Sequence, residues 1–239
     1  MKATGSDKVV VKQLDVSSFK SVREFAADVV KTENRLDVLV HNAGYAGAFK
    51  KFKSVDGIEM TFATNHYGPF LLTHLLIDLM KKSGSSRIVV VASGLYCLAS
   101  VNLEKLNPVD SVPTYLYYSS KAANIMFSTE LAKRLEGTDV TVNCLHPGMI
   151  DSGIWRNVPF PMTLPMSLIN KIFFKTPVEG AKTSIYLATS EDVEGLSGAY
   201  YNNCEETPLK AYVTDDVKCK KLWEESVKMV KLTSSDPKI

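Results

Sequence analysis

The stretch "RIVVVASG", residues 87 to 94, decides the fold class of this chain. A continuous apolar run that ends in a turn of small residues is typical of a strand buried on both faces. Two similar runs occur elsewhere, "RLDVLVHNAG" at 35–44 and "DVTVNCLHPG" at 139–148. Strands of this kind belong to parallel sheets whose helical crossovers cover both faces. The three runs therefore predict a parallel α/β sheet.

Helical and strand patterns alternate along the rest of the chain. Apolar residues at helical spacing predict helices over 21–30, about 57–82, about 115–135 and 177–189. Short strands are predicted at 8–14, "KVVVKQL", and at 198–203, "GAYYNN". No repeat, biased tract or linker interrupts this order. We therefore expect a doubly wound, Rossmann-like parallel sheet forming a single domain over residues 1–239.

Composition excludes several classes of function. The net charge of +2 results from 28 basic and 26 acidic residues that are scattered along the chain, which disfavours nucleic acid as a partner. The four cysteines show no CxxC spacing and the four histidines no metal-binding pair, so no metal site is predicted. No window reaches the 18 or so apolar residues of a spanning helix. The chain as given is expected to be cytoplasmic.

Four groups of residues follow the predicted strands and should meet at one crevice. They are Asp15, residues 42–44, residues 93–94 and residues 146–148. In doubly wound sheets, ligands bind beyond the carboxyl ends of the strands. The crevice between these groups is therefore the predicted ligand site.

The stretch "TYLYYSSK", residues 114 to 121, places three tyrosines close to Lys121. A tyrosine titrates near 10, and an ammonium group one helical turn away would lower that pKa toward the range useful for proton transfer. Tyr117 lies four residues before Lys121 and Tyr118 three, so spacing alone leaves both open. About one Tyr-x-x-x-Lys pair is expected by chance in a chain of this composition, so the motif needs support from its context.

Five motifs supply that context: "HNAG", "NHYGPF", "IVVVASG", "YYSSK" and "HPGMIDS". In order and approximate spacing they resemble the short-chain dehydrogenases/reductases, and in particular the retinol dehydrogenase-like branch, over roughly residues 8–205. The resemblance implies that Tyr117 is the general acid/base and Lys121 its activator and a ribose ligand. It likewise implies that Ser93 polarises the substrate oxygen and that Asn65 anchors a proton-relay water.

Pro69 lies inside the long predicted helix, where a proline normally costs about 3 kcal/mol. Its missing N–H would have bonded the carbonyl of Asn65, and this freed carbonyl could hold the relay water. The alternative is that Pro69 only curves the helix round the sheet.

The resemblance also implies a cofactor site. Its predicted ligands are Asp15 at the adenine, Asn42, Ala43 and Gly44 along the dinucleotide, and Pro147, Gly148, Ile150 and Ser152 at the nicotinamide. Each could instead be only a turn at a strand end. NADP(H) is assigned because the resembled branch prefers it, and NAD remains the alternative.

Residues 153–175 form an apolar, proline-interrupted segment that the resemblance makes a substrate-covering element for lipophilic molecules. Two other interpretations stay open, peripheral association with a membrane and ordinary packing in the core or in a dimer. Related enzymes often pair through their two long helices, so a homodimer is a further expectation.

The chain departs from the family at its amino terminus. "ATGSDK", residues 3 to 8, precedes the first strand and opens no helix, so it is not the TGxxxGxG turn that binds pyrophosphate. The chain is therefore expected to be an N-terminally incomplete domain that lacks the first βαβ portion and binds NADP(H) weakly. Strand 36–41 should then expose an edge or pair with 8–14.

Two functions stay open, an oxidoreductase acting on a retinoid-like alcohol or carbonyl, and a catalytically inactive truncated isoform that acts as a binding protein.

Overall fold

A computed structural model describes residues 5–47, 51–150 and 175–239. Its centre is a sheet of five strands in the order β1-β2-β3-β4-β5, in which β1 to β4 are parallel and β5 is antiparallel to β4. The strands are β1 (Val38–His41), β2 (Ser86–Val91), β3 (Val140–His146), β4 (Tyr200–Asn202) and β5 (Glu205–Glu206). The α/β class predicted from the apolar runs is confirmed.

Helices cover both faces of this sheet. They are α1 (Phe19–Thr32), α2 (Met60–Phe62), α3 (Gly68–Lys82), α4 (Pro113–Arg134), α5 (Pro177–Thr189) and α6 (Asp216–Met229). The larger core lies on the side of α1, α3 and α4. A smaller core, which includes Val89, Leu145 and Leu187, lies between the sheet and α5. Because each face has its own core, the sheet is doubly wound.

The strand predicted at 8–14 is not formed. The segment is extended, and Val10 and Val11 are 75% and 88% exposed. In the doubly wound order two more strands would separate it from β1, and a single strand without a neighbour cannot satisfy its backbone groups. Among the described residues β1 has a strand on one side only. Of the two outcomes expected for strand 36–41, the structure shows the exposed edge.

The helix predicted over 57–82 is interrupted by a π-helical turn at Ala63–Tyr67, here called the π-turn. It is closed by Gly68, whose N–H bonds the carbonyl of Ala63 five residues back. Pro69 is the second residue of α3, which follows the π-turn directly, and it lies in a stretch that is helical on both sides. Gly68 also passes so close to the turn before α1 that a Cβ atom would lie 1.9 Å from the carbonyl oxygen of Val16.

Helix α6, which was not predicted from the sequence, packs against α4. Its Trp223 side chain is buried, with ring centroids 4.9 Å from Phe70 and 5.9 Å from Phe127. The guanidinium of Arg134 lies 4.4 Å from the Trp223 ring, a cation–π contact. Helix α4 consequently has buried residues all round its circumference. Within the described ranges, no helix is both long and apolar enough to span a membrane.

Candidate active site

A cavity of about 720 Å³ opens at the carboxyl ends of β1, β2 and β3. Its lining includes residues 42–44, residues 93–95, Lys121 and residues 146–150. Three of the four predicted groups at strand ends thus meet in one crevice. Asp15 is not part of the lining, because the segment that carries it lies outside the sheet. Its carboxylate instead accepts hydrogen bonds from the backbone and hydroxyl of Ser17.

Lys121 is the buried cation of this cavity. Helix α4 directs its side chain toward the sheet, where Nζ donates a 2.8 Å hydrogen bond to the carbonyl of Val91 at the end of β2. Burial lowers the pKa of Lys121 to about 8, because the charged form loses its hydration. The amine is therefore still mostly protonated at neutral pH.

Tyr117 lies one helical turn from Lys121, and Nζ is 5.7 Å from the centroid of its ring. Burial raises the pKa of the Tyr117 phenol, while a hydrogen bond with the Ser93 side chain acts in the opposite direction. The sequence predicted that Lys121 would lower this pKa. The structure corrects the direction of that shift, because the loss of hydration outweighs the hydrogen bond with Ser93, and neighbouring Tyr118 raises the pKa further.

Ser93 is placed by the turn that ends β2. Its hydroxyl oxygen caps the 3₁₀ helix Gly94–Leu98 by accepting a 3.2 Å hydrogen bond from the backbone N–H of Leu95. A hydroxyl that accepts in this way keeps its own proton available for donation. The buried Ser93 side chain can therefore donate to an oxygen held near Tyr117.

Other hydroxyl groups near Lys121 donate their hydrogen bonds to backbone carbonyls. Tyr115 donates a 2.9 Å hydrogen bond, and Ser119 a 3.1 Å hydrogen bond, to the carbonyl of Ser100. Ser120 donates to the carbonyl of Tyr117 at 2.8 Å. These contacts fix α4 and the loop before it, whereas the Tyr117 phenol makes its hydrogen bond with Ser93.

Asn65 lies in the π-turn and is 1% exposed. Its Oδ1 accepts a 2.7 Å hydrogen bond from the backbone N–H of Tyr45, and its Nδ2 donates to the Tyr45 carbonyl and the Ser120 hydroxyl, each at 2.9 Å. The side chain thus joins the loop at the cavity rim to α4. A relay water on the Asn65 main-chain carbonyl stays a prediction.

Two glycines shape the side of the cavity predicted to hold the cofactor. Gly148 has φ +93°, and a Cβ atom there would lie 2.8 Å from the Lys175 side chain. Gly44 would place a Cβ 3.7 Å from the Lys121 amine, so the backbone of the rim runs close to that cation. Ser152 and residues 153–174 of the predicted covering segment lie outside the described residues, as do residues 1–4 and 48–50.

His146, the first residue of the predicted group at 146–148, lines the cavity. Its ring lies over Gly94, 3.3 Å from where a Cβ atom would be. Burial lowers the pKa of His146, and the positive charge of Lys175 lowers it further, so the ring is neutral at physiological pH. Its position at a strand end, directly before Pro147 and Gly148, was the signal in the sequence.

In the described ranges, no cluster of three or more His, Cys, Asp or Glu could hold a metal ion.

Comparison with known proteins agrees with this geometry. The sequence profile described as short chain dehydrogenase matches residues 1–160. The chain belongs to the short-chain dehydrogenase family. This short-chain dehydrogenase is 49% identical over 230 residues to Retinol dehydrogenase 14 of Mus musculus, covering 95% of this chain and 69% of that protein. It is 38% identical over 230 residues to Retinol dehydrogenase 11 of Homo sapiens, covering 96% of this chain and 71% of that protein.

Solved structures share the fold of this short-chain dehydrogenase. A putative uncharacterized protein from Mycobacterium paratuberculosis superposes with a TM-score of 0.73 at 27% identity, covering 96% of this chain and 78% of the other. The RhlG/NADP active-site complex of Pseudomonas aeruginosa gives a TM-score of 0.59 at 27% identity, covering 78% of this chain and 72% of the other. The Rossmann-like prediction is therefore confirmed.

Proposed function

We propose that this short-chain dehydrogenase moves a hydride between NADP(H) and a lipophilic, retinoid-like alcohol or carbonyl compound. One observation carries the proposal. Ser93 and Lys121 line the cavity beyond the carboxyl ends of the strands, and Tyr117 adjoins both, through a hydrogen bond with the Ser93 side chain and with its ring centroid 5.7 Å from the Lys121 amine.

In carbonyl reduction, Tyr117 gives its proton to the carbonyl oxygen while Ser93 donates a hydrogen bond to the same oxygen. The raised pKa of Tyr117 keeps the phenol protonated at neutral pH, which suits its role as the acid. Alcohol oxidation runs the same steps backwards, with the phenolate taking the proton. When bound, the nicotinamide cofactor supplies or accepts the hydride.

Lys121 stabilises the phenolate that remains after this proton transfer. At neutral pH its amine is mostly charged, and it lies one helical turn from Tyr117. The rim loop at Gly44 passes beside the same amine. Lys121 would therefore also hold ribose hydroxyls of the cofactor.

The nicotinamide end of the cofactor fits the residues present. Residues 147–150 line the cavity and are proposed to contact the nicotinamide ring, and Gly44 lets the rim backbone run beside the Lys121 amine. The preference for NADP(H) is supported by the neighbour solved as an NADP complex. NAD is the alternative, and Asp15, proposed for the adenine end, is outside the cavity lining.

A lipophilic substrate is supported by apolar side chains in the lining, among them Leu95, Met149 and Ile150. The two relatives named as retinol dehydrogenases support a retinoid-like compound. Residues 153–175 are proposed to cover the substrate, and peripheral association with a membrane through this segment is part of the same proposal.

Hydride transfer is best measured in a fusion protein that joins this chain behind a strand, glycine turn, helix and strand of the family's TGxxxGxG type. That unit supplies the amides that bind pyrophosphate, which the present sequence does not provide. We expect retinaldehyde to oxidise NADPH in the fusion protein, faster than it oxidises NADH. The chain by itself should bind NADPH weakly in calorimetric titration. A fusion protein that binds NADPH but transfers no hydride to any lipophilic carbonyl would contradict the proposed function.

A further inference from the structure

The π-turn that carries Asn65 is held from outside the active site. His66, the next residue, points away from the cavity into the core, where its Nε2 lies 2.9 Å from the Ser226 hydroxyl of α6. The two side chains are 1% and 0% exposed. Water therefore cannot replace either partner of this contact.

The direction of this hydrogen bond follows from a second contact. The Ser226 hydroxyl lies 2.7 Å from the carbonyl of Leu222 and donates its single proton there. Its oxygen must then accept from His66, which places a proton on Nε2 of the imidazole. Burial lowers the pKa of His66 to about 4, against a hydrogen bond with the Asn124 side chain of α4 that acts in the opposite direction. The ring is therefore neutral with one N–H, and Ser226 of α6 accepts from it.

The π-turn depends on such outside contacts. Its hydrogen bonds run five residues back, a geometry that is rare and occurs mostly as single turns at functional sites. No side chain caps this turn. The Asn65 side chain points from the π-turn to the rim loop and α4, whereas the His66 side chain points from it to α6. The orientation of one side chain is therefore tied to the anchoring of the other.

We propose that Ser226 is a positioning residue of the active site, because its hydrogen bond to His66 holds the π-turn in the orientation that directs Asn65 to Tyr45 and Ser120. The catalytic meaning of this coupling rests on the proposed function. The physical coupling between α6 and the π-turn does not.

Hydrogen exchange measured by mass spectrometry on the chain itself tests the coupling. In Ser226→Ala, the Nε2–H of His66 loses its acceptor on α6, so amides of residues 63–68 and of Tyr45 should exchange about tenfold faster. His66→Phe removes the same link without leaving an unpaired N–H, and we expect the same pattern. Amides of β2 should be unchanged in both variants.

A matched control is Thr73→Val. The Thr73 hydroxyl donates to the Pro69 carbonyl at 2.8 Å and lies 2.8 Å from Nε2 of the buried His41, so it makes the same chemical contact at a different place. This variant should lose comparable stability in urea without selective exchange at 63–67. If Ser226→Ala leaves exchange at 63–68 unchanged, or if Thr73→Val produces the same local pattern, the proposal is wrong.

A kinetic measurement separates positioning from general weakening. In the fusion protein, Ser226→Ala should lower kcat about tenfold while KM for the carbonyl stays nearly constant, because Asn65 orients the site and does not bind the substrate. A rise in KM with unchanged kcat would overturn the positioning role. If the proposed function itself is wrong, the parent fusion protein will transfer no hydride, while the Ser226→Ala chain will still show the faster exchange at residues 63–68.

Discussion

At the scale of single residues, the proposed chemistry depends most directly on the Tyr117 phenol. In the fusion protein, Tyr117→Phe should reduce hydride transfer by at least ~100-fold, because the proton donor is lost. Tyr118→Phe should stay within a few fold of the parent, since it is Tyr117 that makes the hydrogen bond with the Ser93 side chain. Steady-state kinetics with both variants decides the matter, and a larger loss in Tyr118→Phe would refute the assignment.

Lys121 gives a prediction about stability. Its pKa falls from 10.5 to about 8 on folding, so the unfolded chain binds the proton more tightly, by roughly 3 kcal/mol. This penalty is complete below pH 8 and disappears as the pH rises toward 10.5. Lys121→Met should therefore be more stable than the parent chain at pH 7, by roughly 1 to 3 kcal/mol, and the gap should shrink by pH 9.5.

Urea unfolding of the chain at both pH values measures this gap, and the same substitution should abolish hydride transfer in the fusion protein. A parent chain that is more stable than Lys121→Met at pH 7 would show that the hydrogen bond to Val91 outweighs the loss of hydration.

The sequence identified Tyr117 and Lys121 as a pair, because helical spacing and the family motif depend on order along the chain. It could not give the direction of the Tyr117 pKa shift. That direction depends on how much water the fold removes from the phenol, and on whether the amine faces the ring or the hydroxyl.

At the scale of elements, the junction between the π-turn and α3 depends on Gly68. Alanine is normally favoured over glycine in a helix by about 0.5–1 kcal/mol. Here the added Cβ would lie 1.9 Å from the backbone oxygen of Val16, so the turn that leads into α1 must shift. We therefore expect Gly68→Ala to lower the free energy of unfolding by roughly 1–3 kcal/mol.

Gly44→Ala is the control for this prediction, because its φ is not in the left-handed region and its new Cβ would meet neighbours only at 3.7 Å or more. Urea unfolding should show little change for Gly44→Ala. Equal stabilities of the two variants would mean that α1 adjusts freely to the added atom.

The positions of most elements could be predicted from periodicity, but the π-turn could not. The apolar pattern from 57 to 82 continues through it, and only the Gly68-Pro69 pair marks the interruption. The strand expected at 8–14 had the right residues, yet a strand exists only where a neighbour pairs with its backbone. Helix α6 was missed because few of its residues are apolar, although Trp223 makes it part of the core.

At the scale of the whole molecule, the exposed side of β1 has the largest consequence. In the described chain only β2 pairs with β1, and Val40 on β1 is 41% exposed. The valines of residues 9–11 are also exposed, in the extended segment before α1. An apolar edge with unpaired backbone groups is a template for pairing with a second chain.

We therefore predict that residues 1–239 self-associate through β1, and that sedimentation velocity shows species growing with protein concentration. Val40→Lys should reduce this association, because a lysine on an edge strand opposes pairing. Val217→Lys adds the same charge at a 77% exposed valine on α6 and should leave association unchanged. This control distinguishes an effect at the edge of β1 from an effect of net charge. In the fusion protein the family's first strand would lie beside β1, so that protein should remain monodisperse. A chain that stays monomeric across micromolar concentrations would show that the edge is protected by other means.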